Sequence, residues 1–430
     1  MGDENVKKSR NSKRCYRNCK LGQKDHLLPK IDKAIDFTYI YEITQELYCH
    51  DNGRPAIDPV ILFKMVLIQH IYSIASLCRT VAEIEMNMAY RWFLGIPLNE
   101  KVPHFATISY NFKNRFTEET IEKIFRWILK EIERAGYLSP EVVFVDATHI
   151  KANVALKKRV KNDPGNKMKT VSESITNKES GIFQKGEHQR CFAYSTHTVC
   201  DKHNFILDTV ITAENVHDSR AFHELYQKVL SNYPEIEIVT ADAGYKIPQI
   251  FDSGRIASML YKRPMTAKGD YKKYDYVYDE YYDICSGNKI ISYATTNREG
   301  YREYKSKRYQ CEHCTSKQKC TNSKNNQKTV SIHIWNEYIE KAEDIRHFPM
   351  GKGSYSLRSQ TIERVFADAK EKYGMRDTLY RGLAQVSKWV RLKYAAMNLK
   401  KLAVWRAKSP YHFIIFLFYF LFSQKEPTFQ

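Results

Sequence analysis

The chain has 430 residues, of which 68 are Lys or Arg and 49 are Asp or Glu, so its formal net charge is +19. This length excludes a peptide or a small disulfide scaffold and predicts two or three domains. The positive charge predicts a polyanionic partner, and nucleic acid is the simplest one. Ten cysteines are spread thinly along the chain and the first residues include no apolar signal segment. We therefore expect reduced thiols and a cytoplasmic protein, associated with the nucleoid when it is bound to DNA.

The first part of the chain predicts a basic arm followed by helices. Residues 1–30 carry nine Lys or Arg and three acidic residues with no apolar period, which predicts a flexible arm. Residues 31–136 have helical periodicity and predict an all-α domain, either for DNA binding or assembly, or as a plain bundle with aromatic core residues. Predicted helices cover residues 37–47, 59–74, 80–94, 107–114 and 118–135.

A β pattern begins the next region, residues 137–250. The apolar run 141–146 predicts a buried strand that ends on Asp146, and the run 236–242 predicts another strand that ends on Asp242. An ionised carboxylate directly after a buried strand is costly unless it has a partner. Both aspartates are therefore candidate site residues.

Between these strands lie a predicted hairpin and a predicted loop. Residues 190–200 and 205–212 are joined by turn-forming residues and predict two antiparallel strands. Residues 162–188 are polar and predict a loop near the substrate. A basic stretch precedes this loop, and we expect it to contact DNA through Lys157, Lys158 and Arg159.

Residues 251–350 form a Tyr-rich region that also carries cysteines. Eleven tyrosines fall between Tyr261 and Tyr309, interleaved with Lys and Arg. This pattern fits stacking on bases, and it fits equally a β-rich insertion whose tyrosines pack on one another.

The spacing of the cysteines in this region leaves two interpretations open. One is a four-thiolate Zn²⁺ site made by Cys285, Cys311, Cys314 and Cys320, with His313 as an alternative ligand; the other is four reduced, unliganded thiols. His149, His197 and His217 could form a second cluster, although buried or DNA-facing histidines explain them as well.

The last helices are predicted in residues 351–408. Ile362, Val365, Phe366, Ala369 and Tyr373 recur at helical spacing, with Glu363 at the edge of this stripe. Lys370 lies seven residues after Glu363, on nearly the same face and about 10 Å along the helix. An isolated Glu and Lys pair is typical of a solvated helix edge, so the two aspartates are what make Glu363 a candidate.

The chain then continues into a long helix, predicted over residues 383–405, and an aromatic tail, residues 409–430. The apolar run 413–422 is about half the ~20 residues that span a bilayer, so we expect no membrane role.

Two aspartates at neighbouring strand ends and a glutamate on a late helix make a pattern that can hold two Mg²⁺ ions ~3.5–4 Å apart. One ion would activate the attacking oxygen and the other would stabilise the leaving oxygen. Mn²⁺ can replace Mg²⁺ in such a site. The three acids Asp146, Asp242 and Glu363 therefore predict phosphoryl-transfer chemistry.

Several segments together resemble the DDE transposases of bacterial insertion sequences. They are Phe144-Val145-Asp146-Ala147-Thr148-His149-Ile150-Lys151, Asn215-Val216-His217-Asp218-Ser219, Ala241-Asp242-Ala243-Gly244-Tyr245, 295–304, Thr361-Ile362-Glu363-Arg364-Val365-Phe366, and, in the leading domain, 53–59 and 89–95. The resemblance covers most of the chain. It implies an RNase H-like mixed sheet with flanking helices, interrupted by an insertion and preceded by an all-α N-terminal domain.

The resemblance also implies roles for single residues. Asp146, Asp242 and Glu363 would be the catalytic acids, and Tyr355, Arg358 and Lys370 would correspond to the tyrosine, arginine and lysine that accompany the glutamate. Two departures stand out. Four residues separate Arg358 from Glu363 where the family has three, and Phe105 and Ala106 replace a His-Ser pair in the leading domain.

From this resemblance we expect a transposase that binds terminal inverted repeats, cleaves at the element ends and joins the 3′-hydroxyl groups to target DNA. Its partner would be double-stranded DNA, and it would act as a homodimer or larger assembly. Two alternatives remain: a metal-dependent nuclease that lacks strand transfer, and a DNA-binding repressor with an inactive core.

Overall fold

The structure is a computed structural model. It describes residues 25–48, 56–154, 159–162, 171–185, 189–216, 218–242, 245, 256–259, 271, 276–279, 283–286, 289–297, 300–334 and 336–408. The aromatic tail, residues 409–430, lies outside the described residues. The chain divides into two compact units, one made by residues 1–237 and 357–430 and the other by residues 238–356.

In the described residues, the first unit begins with seven α-helices. They are α1 (Leu27–Ala34), α2 (Tyr39–Thr44), α3 (Pro59–Ile71), α4 (Leu77–Met86), α5 (Met88–Leu94), α6 (Phe105–Asn114) and α7 (Glu118–Arg134). Helix α1 starts inside the predicted basic arm because Leu28, Ile31 and Ala34 are buried and the His26 side chain accepts a hydrogen bond from the Leu28 N–H. The N-caps Asp58 and Thr117 start α3 and α7 as predicted.

The helix predicted over residues 80–94 is two helices, and Asn87 separates them. Its backbone is extended, with φ −103° and ψ 111°, and its side chain accepts hydrogen bonds from the N–H groups of Ala89 and Tyr90. An asparagine that satisfies two free N–H groups starts a new helix at this point. The apolar periodicity on both sides of Asn87 hides that break.

The sheet of the first unit is built on β5. Its strands are β1 (Val142–Lys151), β4 (Gly181–Lys185), β5 (Gln189–Asp201) and β6 (Ile206–Ala213), and β1, β4 and β6 each pair antiparallel with β5. The hairpin predicted from the sequence is therefore confirmed. A separate antiparallel pair is made by β2 (Arg159–Asn162) and β3 (Val171–Ser174), so part of the predicted loop 162–188 is β structure.

Strand β1 is longer than predicted. It continues past Asp146 to Lys151, in unbroken register with β5, so Asp146 pairs with Thr198 and lies inside the strand. Residues 146–149 are half-buried and carry no apolar run, and backbone pairing, which the hydrophobic pattern does not report, extends the strand over them.

Three helices complete the first unit: α8 (Asp218–Asn232), α13 (Ile362–Lys372) and α14 (Leu383–Lys408). Helix α8 packs on β5 and β6. Helix α13 and its C-cap residue Tyr373 bury the whole predicted stripe, namely Ile362, Val365, Phe366, Ala369 and Tyr373. Helix α14 contacts α1, α3, α7 and β6, and so it packs against both the helical region and the sheet.

The second unit contains β7 (Ile238–Ala241), β8 (Ile256–Met259), β9 (Val277–Asp279), β10 (Asp283–Ser286), β11 (Lys289–Thr296), β12 (Tyr301–Lys305), α9 (Arg308–Glu312), α10 (Lys317–Cys320), β13 (Thr329–His333), α11 (Asn336–His347) and α12 (Pro349–Ser356). Strands β7 and β8 are parallel. Strands β9 to β13 form an antiparallel sheet in the order β13-β12-β11-β10-β9, over a core of Ile291, Tyr304, Val330 and Ile332.

The molecule is thus mixed α/β, with both parallel and antiparallel strand pairs. Of the helices in the described ranges, none combines the length and the apolar character that crossing a membrane requires.

Candidate active site

Asp146 is held by a cation and by its own backbone. Arg358 Nη2 donates a hydrogen bond to Asp146 Oδ2 at 2.6 Å, and the Ala147 N–H donates to Asp146 Oδ1 at 2.8 Å. The Arg358 side chain is 5% exposed and that of Asp146 is 21% exposed. A charge-assisted bond of this length is among the stronger polar contacts in proteins. The carboxylate therefore has a fixed orientation at the edge of the interior.

Helix α13 is tied to β1 at both of its ends. Before its first turn, Arg358 contacts Asp146. After its last turn, the Lys151 N–H donates to the Arg376 carbonyl and the Thr378 N–H donates to the Lys151 carbonyl, each at 3.0 Å. No sequence pattern indicated this second contact, because it joins backbone groups.

The lengths of the two elements agree with this arrangement. Residues 146 to 151 of a strand span ~17 Å, and the eleven residues of α13 span ~16 Å. Helix α13 also packs directly on β1. It therefore runs alongside the strand in the same direction, with its first turn near Asp146 and its last turn near Lys151.

This arrangement places Glu363 in the first turn of α13, at the Asp146 end, with its side chain exposed. A carboxylate in the first turn is favoured by the helix dipole. Lys370 lies in the last turn, half-buried, at the Lys151 end. The structure thus brings Asp146, Arg358 and the start of the Glu363 helix together.

Asp242 and Tyr355 belong to the second unit. Asp242 follows β7 directly, in agreement with the strand prediction, and it is exposed, whereas Tyr355 is a half-buried residue of α12. Of the predicted basic contacts, Lys157 and Lys158 lie outside the described residues, and Arg159 is in β2 with its side chain outside the description.

The cysteines of the second unit make separate contacts. Cys311 Sγ donates to Ser306 Oγ at 3.0 Å, and Cys320 Sγ lies 3.2 Å from Tyr276 Oη. Cys311, Cys314 and Cys320 are free thiols, His313 is exposed, and the Cys285 side chain lies outside the description. Within the described ranges no three His, Cys, Asp or Glu side chains are grouped to hold a metal ion. The zinc site remains a prediction.

The predicted histidines occupy different surroundings. His197 is fully buried, its Nε2 lies 3.2 Å from Thr212 Oγ1, and burial lowers the pKa of its imidazole to about 4. His149 stacks on Phe183 with ring centroids 4.0 Å apart. His217 lies outside the described residues.

Glu214 is an additional acid near α13 that the sequence did not single out. Burial, and then the charge of Asp218, raise the pKa of its carboxyl group to about 7, while Lys370 opposes this shift. A carboxyl group that is partly protonated at neutral pH cancels less of the neighbouring positive charge than an ordinary glutamate does.

Three family models match the chain. Residues 17–114 match the family described as Transposase domain (DUF772), and residues 137–326 and 284–403 match two families that are each described as Transposase DDE domain. Together these matches cover the helical region as far as residue 114, both aspartates and the glutamate.

Two solved structures are similar to the chain at 8% sequence identity. One, described as the Mos1 transposase paired-end complex with left transposon end, has a TM-score of 0.16, with 48% of this chain and 59% of that chain covered. The other, a crystal structure of a pre-cleavage Mos1 transpososome, has a TM-score of 0.17, with 80% and 96% covered. Similarity at this level carries no structural argument. A search of curated proteins found no match.

Proposed function

Because the chain belongs to the DDE transposases of insertion sequences, we propose that it binds the terminal inverted repeats of such an element, hydrolyses DNA at the ends and joins the 3′-hydroxyl groups to target DNA. The observation that supports this most is the double attachment of α13 to β1, since it keeps the first turn of the Glu363 helix beside Asp146. In the proposal, β1, β5, β6 and the surrounding helices are part of an RNase H-like core, and the region 251–350 is an insertion.

Asp146, Asp242 and Glu363 are the proposed catalytic acids. Members of this family use divalent metal ions, and we propose that these three carboxylates would hold them in this chain. Carboxylate oxygens are the ligands that Mg²⁺ and Mn²⁺ prefer, and the Asp146 carboxylate lies at the edge of the interior, 21% exposed, with Arg358 bound to its Oδ2 atom. Two such ions would polarise the scissile phosphate and lower the pKa of the attacking water.

The remaining groups act on the DNA and on the acids. Arg358 fixes the orientation of Asp146, and Lys370 and Tyr355 are proposed to contact the DNA backbone. The net charge of +19 favours a polyanion through release of its counterions. We propose duplex DNA as the partner and a homodimer or larger assembly as the active form.

Substitution of each acid tests the proposal. Asp146→Asn, Asp242→Asn and Glu363→Gln keep side-chain volume and remove the charge. We expect each to lower Mg²⁺- or Mn²⁺-dependent nicking of end-containing duplexes by at least about 100-fold, since even groups behind a metal ligand contribute 10- to 100-fold. Gel shifts of the same duplexes, which we expect to change little, are the control. Nicking at the wild-type rate by any one variant removes that residue from the site.

A joining assay separates the related functions. A transposase converts a pre-cleaved end with a free 3′-hydroxyl into a strand-transfer product, whereas a nuclease nicks the DNA and yields no joined product. A repressor with an inactive core shifts the DNA equally with and without metal and never cuts it.

A further inference from the structure

A cavity of about 350 Å³ lies at the end of β1 opposite Asp146. It is lined by Lys151, Arg190, Lys370 and Arg376, together with the stacked pair His149 and Phe183 and the thiol of Cys191. All of these residues belong to the first unit. Four of the seven lining side chains are cationic, and Lys370 is the only one of these four to which the proposed function gives a role.

Strand register explains how the floor of the cavity is built. Lys151 pairs with Ala193 across the sheet, and Phe183 pairs with Cys191. Because side chains alternate between faces, His149, Lys151, Cys191 and Phe183 share one face of the sheet. Lys370 and Arg376 reach the cavity from α13 and from the segment that pairs with Lys151.

The charge of the cavity is only partly compensated. Arg376 pairs with Glu371. Lys151 and Arg190 are exposed and form no ion pair with any residue in the described part of the chain. Glu214 interacts electrostatically with Lys370 and Cys191, and its raised pKa leaves it partly neutral near pH 7. Burial also raises the pKa of Cys191, so this thiol is neutral.

We propose that this cavity is a subsite for a backbone phosphate of one DNA strand, located three to five nucleotides from the phosphate that is cleaved. The spacing comes from β1: His149 and Lys151 lie ~10 to ~17 Å along the strand from Asp146, and each nucleotide advances a DNA strand by ~3.4 Å. Arginine and lysine at a concave surface are the usual phosphate ligands. The inference rests on the proposed function for the identity of the DNA and of the cleaved phosphate.

A scan of single phosphates tests the subsite. Duplexes that carry the end of the DNA element encoding the chain are made with one uncharged methylphosphonate at each of the first seven positions from the nick. We expect the wild-type protein to bind about tenfold more weakly when the replacement falls at one of the positions three to five. A tenfold loss of affinity corresponds to the free energy that one hydrogen bond to a charged group contributes. Replacement at the other positions should have smaller effects.

The same scan on variants assigns the contact to the cavity. Arg190→Gln and Lys151→Gln should each bind the unmodified duplex about tenfold more weakly and show no further loss at the sensitive position. Lys123→Gln, which removes an exposed cation of α7 paired with Glu119, is the matched control and should keep the wild-type pattern. Both cavity side chains are exposed, so we expect the variants to fold, and thermal melting followed by circular dichroism checks this.

Each possible result of these experiments either supports or overturns the phosphate subsite. If Arg190→Gln and Lys151→Gln keep the wild-type sensitivity at every position, the cavity does not hold a DNA phosphate and the inference is wrong. A flat wild-type scan, combined with displacement of DNA by inorganic phosphate in the wild type and not in the variants, would identify free phosphate as the ligand and would also overturn it. Failure of wild-type protein to nick DNA contradicts the proposed function, but position-specific loss of binding would still support the subsite.

Discussion

Arg358 and Asp146 meet across 212 residues of sequence, and the contact between them sets the geometry of the candidate site. The guanidinium is nearly buried and donates to the same carboxylate that is proposed to bind metal. It can therefore orient Asp146, but its positive charge also competes with a metal ion for the Oδ2 atom. These two effects are separable by experiment.

We expect Arg358→Gln to lower the rate of nicking at saturating Mn²⁺ by about tenfold or more, because Asp146 loses its orientation. The same variant should reach half of its maximal rate at a lower Mn²⁺ concentration than the wild type, because the competing charge is gone. Metal titrations of nicking measure both quantities. Arg358→Lys keeps the positive charge and loses the planar guanidinium group, so it should reach half of its maximal rate at the same Mn²⁺ concentration as the wild type. An unchanged metal requirement in Arg358→Gln would contradict the competition.

His197 predicts a pH dependence of stability. Its pKa is about 4 in the folded protein, below the ordinary value of 6.5, because it is buried between β5, β6 and α8, where Thr212 and Asp218 face it. The folded state therefore binds fewer protons than the unfolded chain between pH 6.5 and 4. Acidification through this range lowers the free energy of unfolding, by at most about 3 kcal/mol from this group.

Urea unfolding at pH 7 and pH 4.5 measures this contribution. We expect His197→Gln to be less stable than the wild type at pH 7 and to lose less stability on acidification. Glu214 and Asp201 have raised pKa values, of about 7 and about 6, so acidification through these values increases the free energy of unfolding. The informative quantity is therefore the change in unfolding free energy between pH 7 and pH 4.5, compared between the wild type and His197→Gln. Equal losses in the two proteins would show that His197 does not control the response.

Sequence periodicity predicted the buried stripe of α13 and its C-cap residue completely, because burial on a helix repeats every 3.6 residues. It placed Asp146 at the end of a strand, which is wrong, since backbone pairing continues to Lys151 without an apolar pattern. The contact of Arg358 with Asp146 and the cluster around Lys151 join residues that are distant in sequence. A single sequence contains no periodic signal for such contacts.

Helix α14 is the element that joins the helical region to the sheet. Asn398, on its buried side, donates to the Ile206 carbonyl at 2.8 Å and accepts from the Ile206 N–H at 2.9 Å. Its side chain thus satisfies both backbone groups of the first residue of β6. On the same helix, Tyr394 contacts Thr198 and Lys388 Nζ donates to the Phe116 carbonyl.

We expect Asn398→Ala to lower the free energy of unfolding by about 2–6 kcal/mol, because it leaves two buried backbone groups without partners at roughly 1–3 kcal/mol each. Gln385→Ala, at a half-buried position of the same helix, should change stability by less than about 0.5 kcal/mol and controls for the loss of an amide side chain. Denaturant unfolding curves compare the two. A change in Asn398→Ala as small as in the control would mean that water replaces the amide.

At this scale the sequence predicted the existence of most helices and of the β5-β6 hairpin, since both depend on local periodicity and turn residues. The break at Asn87 and the strands within residues 162–188 were not predicted. The break at Asn87 depends on the capping of a helix by a side chain, and the apolar pattern continues unbroken across it. The strands within residues 162–188 depend on pairing with strands outside this polar segment; β4, for example, pairs with β5.

For the whole molecule, the motifs distributed along the chain led to the right family, although no one of them is specific alone. The Tyr-rich region 251–350 contains an antiparallel sheet in which Tyr304 is a core residue, while Tyr293 and Tyr309 are more than half exposed. Tyr304 thus fits the prediction of tyrosines packed inside a β-rich insertion, and the exposed Tyr293 and Tyr309 fit the prediction of tyrosines available to stack on bases. Composition alone could not tell which tyrosine belongs to which class.

The position of α14 also governs when the first unit can fold during synthesis. Helix α1 begins at Leu27, yet it packs against a helix that begins at Leu383, and Arg406 donates to the Ala34 carbonyl. At 5–20 residues per second, a ribosome needs about 20 to 70 s to travel from α1 to the start of α14. During this interval the apolar surfaces of α1, α3 and α7 that α14 covers stay exposed. We therefore expect the first unit to complete its folding only after α14 has been synthesised, because the contact it needs joins the first and the last α-helix of the described residues.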